Sequence, residues 1–286
     1  MMDSYSVLIS VYYKEKPEFL RLAIDSIFAQ TAPPDEVVLV CDGPLSPELD
    51  EVIRSFEERC GEQFRVVRLE TNMGLGNALQ RGIQVCRNEW IARMDSDDIS
   101  LPDRMEKQLA YVRSHPEISV VGGQIEEFVD DPANPVDIRS VPLEVSQIRE
   151  TLRFKNPMNH VTTLLRKSAV LAVGNYEDYP GFEDYQLWAR LLSQGYQLAN
   201  LNDCLCQVRI GADMYRRRGG LVFFKNTYRM QRFLLEQGLI TVAQFTRNLA
   251  IRFSSAVLPN QLRGAMFRKV MRKEAKNGSS AEGEPI

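Results

Sequence analysis

Residues 90–100 read WIARMDSDDIS, a short apolar run that ends in three acids, Asp95, Asp97 and Asp98, within four positions. Two bare carboxylates about 4 Å apart repel by roughly 1 kcal/mol in water and about four times that near a protein surface. A bound cation would remove that cost. Carboxylates at i and i+2, where a strand turns into a loop, can converge on one hard ion. Mg²⁺ and Mn²⁺ take oxygen ligands and keep positions open for substrate phosphates. The spacing is not that of an EF-hand: counted from Asp95, the fifth position is Ile99 and the sixth is Ser100 where that loop needs glycine, although Glu106 falls at the twelfth. The competing reading is an acidic cap for a helix opening at Pro102, since anions favour helix N-termini.

Four further stretches could do chemistry, and each has a plainer explanation. In TNMGLGNALQRG (71–82), Gly74 and Gly76 open a helix after a strand. Such a turn presents unpaired N–H groups to a phosphate, or serves only as a tight turn. It is not GxGxxG and lacks the Walker lysine. In YPGFEDYQLWARL (179–191), Glu183 and Asp184 fall in the first turn of a helix after Pro180 and Gly181. They either complement the helix dipole, at about 0.3–1 kcal/mol each, or supply a general base within reach of a hydroxyl. Asp42, before Gly43 in VLVCDGPL, is a turn residue or a ligand; Glu15, in SVYYKEKP, is a loop acid or another. His160, in NPMNHVTTLL, is a structural histidine or a site residue.

The elements that must position these residues alternate. Strand-like runs SVLISV (6–11), EVVLVC (36–41), FRVVRL (64–69) and EWIARM (89–94) are nearly continuously apolar, as strands buried on both faces are. Between them the pattern predicts helices over 17–29, 47–59, 74–86 and 102–114, with Pro17 and Pro102 near helix starts. This alternation means an α/β fold with a mainly parallel sheet covered by helices, and ligands beyond the C-terminal strand ends. Further on, 117–129 reads as a strand, 130–137 as a loop, 144–154 as a helix, 161–166 as a strand, 182–194 as a helix and 196–209 as a strand pair. The 286 residues, 44% hydrophobic and 26% charged, suit an ordinary soluble protein of one large or two small domains. No apolar run approaches the ~18 residues that span a bilayer. The first residues do not read as a secretory signal, and five cysteines without a CxxC pair read as reduced thiols in the cytoplasm. Two histidines argue against zinc.

Taken in order, SVLISVYYKE, DEVVLVCDG, TNMGLGNALQRG, ARMDSDDISLPDR and GFEDYQLWARL resemble the family 2 inverting glycosyltransferases of GT-A type. The likeness is to the bacterial branch that builds exopolysaccharide, amylovoran and O-antigen repeat units, and it covers about residues 5 to 235. It implies a Rossmann-like sheet, with a nucleotide-binding half over 1–115 and an acceptor-binding half over 116–210. A basic helical segment would follow over 211–276, and a disordered tail over 277–286. Asp95-Ser96-Asp97 occupies the DxD position, with Asp97, beside Asp95, as the ligand of Mn²⁺ or Mg²⁺. Val11, Tyr13, Glu15, Asp42, Asn72, Gly76, Arg81, Met94, Asp95 and Ser96 match donor-binding positions. The family often has two acids before the glycine of the second-strand motif; here the first is Cys41, so base contacts lean on Asp42 and uracil specificity loosens. Asp184 matches the catalytic base, with Glu183, His160 and Trp188 on the acceptor side. The QxxRW motif of processive members is absent, which implies one sugar per encounter.

The implied partners are a nucleotide-sugar, most simply a UDP-sugar, and an undecaprenyl-diphosphate-linked or oligosaccharide acceptor. Residues 215–276 hold 14 Lys or Arg against two acids, a net +12 on a chain of net −3. Helix 261–276 carries six of those cations opposite Leu262, Met266, Phe267 and Val270. Such a helix lies on an anionic membrane, or is a solvated face on a packed helix. The first reading places the protein peripherally on the inner face of the plasma membrane. Arg216, Arg217 and Arg218 with the following glycines could also form a lid over diphosphate. No nucleic-acid motif is present. Three rivals stand beside this reading: a nucleotidyltransferase making nucleotide sugars, a phosphotransferase using Asp95 as nucleophile, and a catalytically silent nucleotide-sugar-binding protein.

Overall fold

A computed structural model describes residues 4–211 and 220–257. The chain divides after Arg209 into two compact units. In the first, β1 (Tyr5–Val11), β2 (Glu36–Cys41), β3 (Phe64–Arg68) and β4 (Trp90–Asp95) lie side by side in the order β3-β2-β1-β4, all parallel. In β1, β2 and β4 the side chains are almost wholly enclosed because helices cover the sheet: Leu8, Ile9, Val38 and Leu39 expose nothing. β3, at the sheet edge, departs from the expectation of burial on both faces: Phe64 is buried but Arg65 and Arg68 are exposed.

The crossover helices form where the sequence places their signals. α1 (Pro17–Phe28) has proline in its first turn and buries Leu20, Ala23, Ile24 and Ile27, an i, i+3, i+4, i+7 stripe. α2 (Pro47–Cys60) is capped by Ser46, whose hydroxyl accepts the Leu49 N–H at 3.3 Å. α3 (Leu75–Val85) lies so close to β1 that a Cβ on Gly82 would come within 2.2 Å of Leu8 Cδ1. A short strand β5 (Ile99–Ser100) then leads to α4 (Arg104–Ser114).

Beyond β4 the sheet turns mixed. β6 (Ile118–Phe128) carries a short edge partner, β7 (Asp137–Arg139). After α5 (Val145–Leu152), β8 (Leu164–Arg166) inserts antiparallel between β4 and β6. α6 (Lys167–Ala172) and α7 (Glu183–Ser193) precede β9 (Gln197–Arg209), which runs parallel to β6 and antiparallel to β5. Two expectations change here. Within 196–209, Gln197–Arg209 forms one long strand with register shifts against β6, in place of two strands. Only Leu164–Arg166 of 161–166 is strand, because His160–Thr162 makes a 3-10 turn.

In the second unit, α8 (Gly220–Glu236) and α9 (Val242–Val257) pack together through Asn248 Nδ2 to Gln231 Oε1 at 2.8 Å and the Tyr228 and Phe245 rings at 5.9 Å. Helix 261–276, the Arg216–Arg218 run and the 277–286 tail lie outside the described residues.

Candidate active site

The site residues stand where parallel strands end. Register puts Ser10 of β1 opposite Asp95 of β4, and Val11 opposite Cys41 of β2, so the loops carrying Glu15, Asp42 and Asp95 leave one edge together. Asp42 is buried and spends both carboxylate oxygens on the chain, accepting the N–H of Met73 at 2.7 Å and of Gly74 at 3.0 Å. Asn72 turns its amide back onto the Asp42 carbonyl at 3.1 Å. Gly43 has φ +89°, and a Cβ there would strike Asn72 N at 2.6 Å, so the two loops meet only because the residue is glycine. Asp42 thus holds the glycine turn at the start of α3 in shape.

The acid cluster is built around a cation that the sequence reading passed over. Arg93 lies in β4, 2% exposed, and grips both oxygens of Asp95 with its two terminal nitrogens. Positions i and i+2 of a strand share a face, which is why this pair closes. Glu15 reaches across from the β1 loop to accept a hydrogen bond from Ser96 Oγ. Asp98 is buried and accepts the Arg209 N–H at 2.9 Å. Desolvation, then the like charges of Asp95 and Asp97, push its carboxyl well above the usual range.

Asp97 differs from its neighbours. Among the described residues its carboxylate has no side-chain partner. Burial first, then Asp95 and Glu15, push it up to about 7. An oxygen donor without a side-chain partner among repelling acids is the chemistry that a hard divalent ion satisfies. No group of three or more acids, histidines or cysteines among the described residues could hold such an ion alone. Donor phosphate oxygens and water would complete its shell, as they do for Mg²⁺.

A second group of acids opens α7. Asp184 is half-buried, and its carboxylate accepts Asn156 Nδ2–H and the Tyr185 N–H, the latter at 2.7 Å. Burial raises its pKa, while these two hydrogen bonds and the Arg93 charge oppose the rise. Glu183 accepts the Gly181 N–H at 3.0 Å, and burial raises its pKa as well. Packing sets this group against the start of α3. A Cβ on Gly76 would lie 2.7 Å from the Glu177 carbonyl and 3.1 Å from Glu183 Cγ, so the first turn of α3 abuts the start of α7. Gln80 Nε2 donates to the Tyr176 carbonyl at 2.8 Å, and Asn175 Nδ2 to the Gln80 carbonyl at 3.0 Å. Buried Arg190 ties α7 to the Val173 and Asn175 carbonyls of the same loop.

His160 Nε2 lies 2.8 Å from the Tyr176 hydroxyl. Burial, and then the Arg93 charge, hold its pKa well below the ordinary imidazole value, so it is neutral near pH 7. Trp188 sits edge-on beneath the His160 ring at 6.0 Å and is wholly buried. Its side chain therefore packs against His160 from within the core. Val11 and Met94 likewise have core side chains, 1% exposed each, which leaves only their main chain to face a donor. Tyr13 is 56% exposed at the mouth, beside Tyr12 at 5.7 Å between ring centroids. Arg81 is exposed on α3, seven residues or roughly 10 Å along the helix from Gly74. Arg93 and Asn156 are the residues that sequence reasoning missed. A charged residue inside an apolar strand, two positions before an acid, was the available signal for Arg93. An Asn-Pro pair in a loop gave none for Asn156.

A family model described as glycosyl transferase family 2 matches residues 6–177. An uncharacterized glycosyltransferase of Haemophilus influenzae is 40% identical over 94% of this chain and 99% of its own length. The amylovoran biosynthesis glycosyltransferase AmsE of Erwinia amylovora is 39% identical over 93% of this chain and 98% of its own. A UDP-Gal:alpha-D-GlcNAc-diphosphoundecaprenol beta-1,3-galactosyltransferase of Escherichia coli is 31% identical over 94% and 97%. Among solved structures, residues 1–349 of S. aureus TarS with UDP-GlcNAc superpose with a TM-score of 0.64 at 16% identity, over 96% of this chain and 77% of that one. The mannosyltransferase PcManGT of Pyrobaculum calidifontis, with GDP-Man and Mn²⁺, gives 0.61 at 16% identity, over 97% and 84%. The chain spans 46% of the longer TarS chain. At these identities the solved structures speak to the fold, which is that of GT-A glycosyltransferases.

Proposed function

The chain belongs to glycosyl transferase family 2 and is a glycosyltransferase, and from that premise we propose that it moves one sugar from a UDP-sugar to a diphosphate-linked lipid or oligosaccharide acceptor in surface polysaccharide synthesis. The observation that carries this reading is that buried Arg93, which grips Asp95 at the strand ends, also places its charge near the half-buried Asp184. Asp184 takes the proton from an acceptor hydroxyl. The freed oxygen pair bonds to the anomeric carbon from the face opposite the diphosphate, the bond to the leaving oxygen breaks, and the configuration inverts. Glu183, and neutral His160 held by Tyr176, border the acceptor side. Tyr13 and the Asp42-braced glycine turn border the nucleotide. Asp97, with Asp95 beside it, would hold Mn²⁺ or Mg²⁺, which when bound offsets charge on the departing diphosphate. Both oxygens of Asp95 are engaged by Arg93, which disfavours it as a phosphoryl-accepting nucleophile.

No helix among the described residues is long and apolar enough to cross a membrane. A peripheral seat is supported by the basic second unit, where Lys225, Arg229 and Arg232 are exposed along α8 at i, i+4 and i+7.

The test is transfer from radiolabelled UDP-galactose, UDP-glucose and UDP-GlcNAc to a synthetic GlcNAc-diphospho-lipid and to free oligosaccharides, with and without Mn²⁺. A metal-dependent lipid or oligosaccharide product from one donor supports the reading. A UDP-sugar formed from UTP and sugar phosphate, with no transfer, would replace it by the nucleotidyltransferase.

A further inference from the structure

The loop between α5 and the His160 turn reads RFKNPMN, and it is held on both sides. Tyr185, on the first turn of α7, donates its hydroxyl to the Leu152 carbonyl at the end of α5. Asn159 Nδ2 donates to the Gly123 carbonyl of β6 at 2.9 Å, and Asn200 Nδ2 to the Pro157 carbonyl at 3.2 Å. Pro157 confines the preceding Asn156 to extended backbone. Within this frame Asn156 makes two bonds. Its Oδ1 accepts the Met158 N–H at 3.2 Å, an Asx turn, and its Nδ2 donates to Asp184 Oδ2.

Those two bonds fix which way the amide points. Exchanging its oxygen and nitrogen would set an amide oxygen against a carboxylate and an amide NH₂ against the Met158 N–H, two repulsions in place of two attractions. The donor faces Asp184 because the acceptor is already spent. A hydrogen bond from a fixed amide stabilises the ionised carboxylate over the protonated one. It also leaves the carboxylate one orientation, since Oδ1 is taken up by the Tyr185 N–H at 2.7 Å.

We infer that Asn156 is a positioning residue for the catalytic base: its amide orients the Asp184 carboxylate and keeps it ionised, and so able to accept a proton from the acceptor hydroxyl. The inference rests on the reading of Asp184 as base. Among the described residues, the other charged and titratable groups facing Asp184 are Arg93 on β4, Tyr176 in the loop before α7, and Glu183 on α7 itself. None of them is supplied by the α5–His160 loop, so replacing Asn156 leaves them in place.

The experiment titrates the Asp184 side-chain carboxyl directly, by NMR of the full chain carrying ¹³C-carboxyl aspartate, with Asp184→Asn to assign the resonance. No substrate is needed. In Asn156→Ala the midpoint should move up by about one pH unit, and in Asn156→Asp further, because a second acid then adjoins the first. Asn156→Ser, which keeps a donor, should fall between wild type and Asn156→Ala. The other aspartate resonances report whether each variant is folded, and Asn156→Asp carries the same upward shift if Asn156→Ala is not. An unchanged Asp184 midpoint in a folded Asn156→Ala or Asn156→Asp protein overturns the inference. Retention of transfer by Asp184→Asn would instead sink the base assignment, while the midpoints would still reveal whether Asn156 tunes that carboxyl.

Discussion

Asp97 has no partner among the described side chains, and its environment makes its charge costly. The sign of the pH effect follows from its raised pKa of about 7. Between the ordinary carboxylate range and that value the folded chain holds a proton that the unfolded chain has released. Stability contributed by this group is therefore present at low pH and declines as pH rises toward 7. A divalent ion with UDP should relieve the repulsion only where Asp97 is ionised. Thermal melts should show a larger gain from Mn²⁺ plus UDP at pH 7.5 than at pH 5, and Asp97→Asn should lose most of that gain. Equal gains at both pH values would mean that Asp97 is not the ligand. At this scale the acids were legible in the sequence, because five motifs in order placed them. Proximity to a motif in sequence does not distinguish a residue that lines a site from one that packs beneath it, and Trp188, with 0% exposure, lies in the core beside His160.

The elements carry the site by close approach, and α3 shows how. Its first turn touches the loop before α7 at Gly76, while Gly82 lets the same helix sit against β1. Gly76→Ala must push the Glu177 carbonyl or Glu183 aside, an overpacking that costs about 1–3 kcal/mol. Its unfolding midpoint in urea should fall accordingly, and transfer should fall more than stability alone explains because Glu183 moves. Wild-type transfer by Gly76→Ala would show that the α3–α7 contact does not shape the acceptor side. The strand-helix alternation through α4 was readable from apolar runs and proline positions. β9 was not, because Asn202 and Asp203 are turn residues by composition and divide its apolar stretches. In the fold, register shifts against β6 carry the strand past them, and no single-chain periodicity encodes a partner's bulge.

Over the whole molecule, charge is divided between an acidic body and a basic C-terminal part. Exposed lysine and arginine along α8 should draw the full chain to vesicles containing anionic lipid. Each basic residue near the surface adds about 1 kcal/mol, and salt screens the attraction. Co-sedimentation should fall in the triple variant Lys225→Gln, Arg229→Gln, Arg232→Gln and at high salt. Indifference of the wild type to anionic vesicles at low salt would leave the basic face as a solvated or protein-facing surface.

Transfer by Asp184→Asn, measured beside UDP binding to the same protein, tests the central claim most directly. The expected result is UDP affinity close to wild type with kcat about 10²–10⁴-fold lower, the usual contribution of a positioned general base. Turnover near the wild-type rate by a folded Asp184→Asn chain would contradict it, and the base would have to be sought elsewhere on the acceptor side.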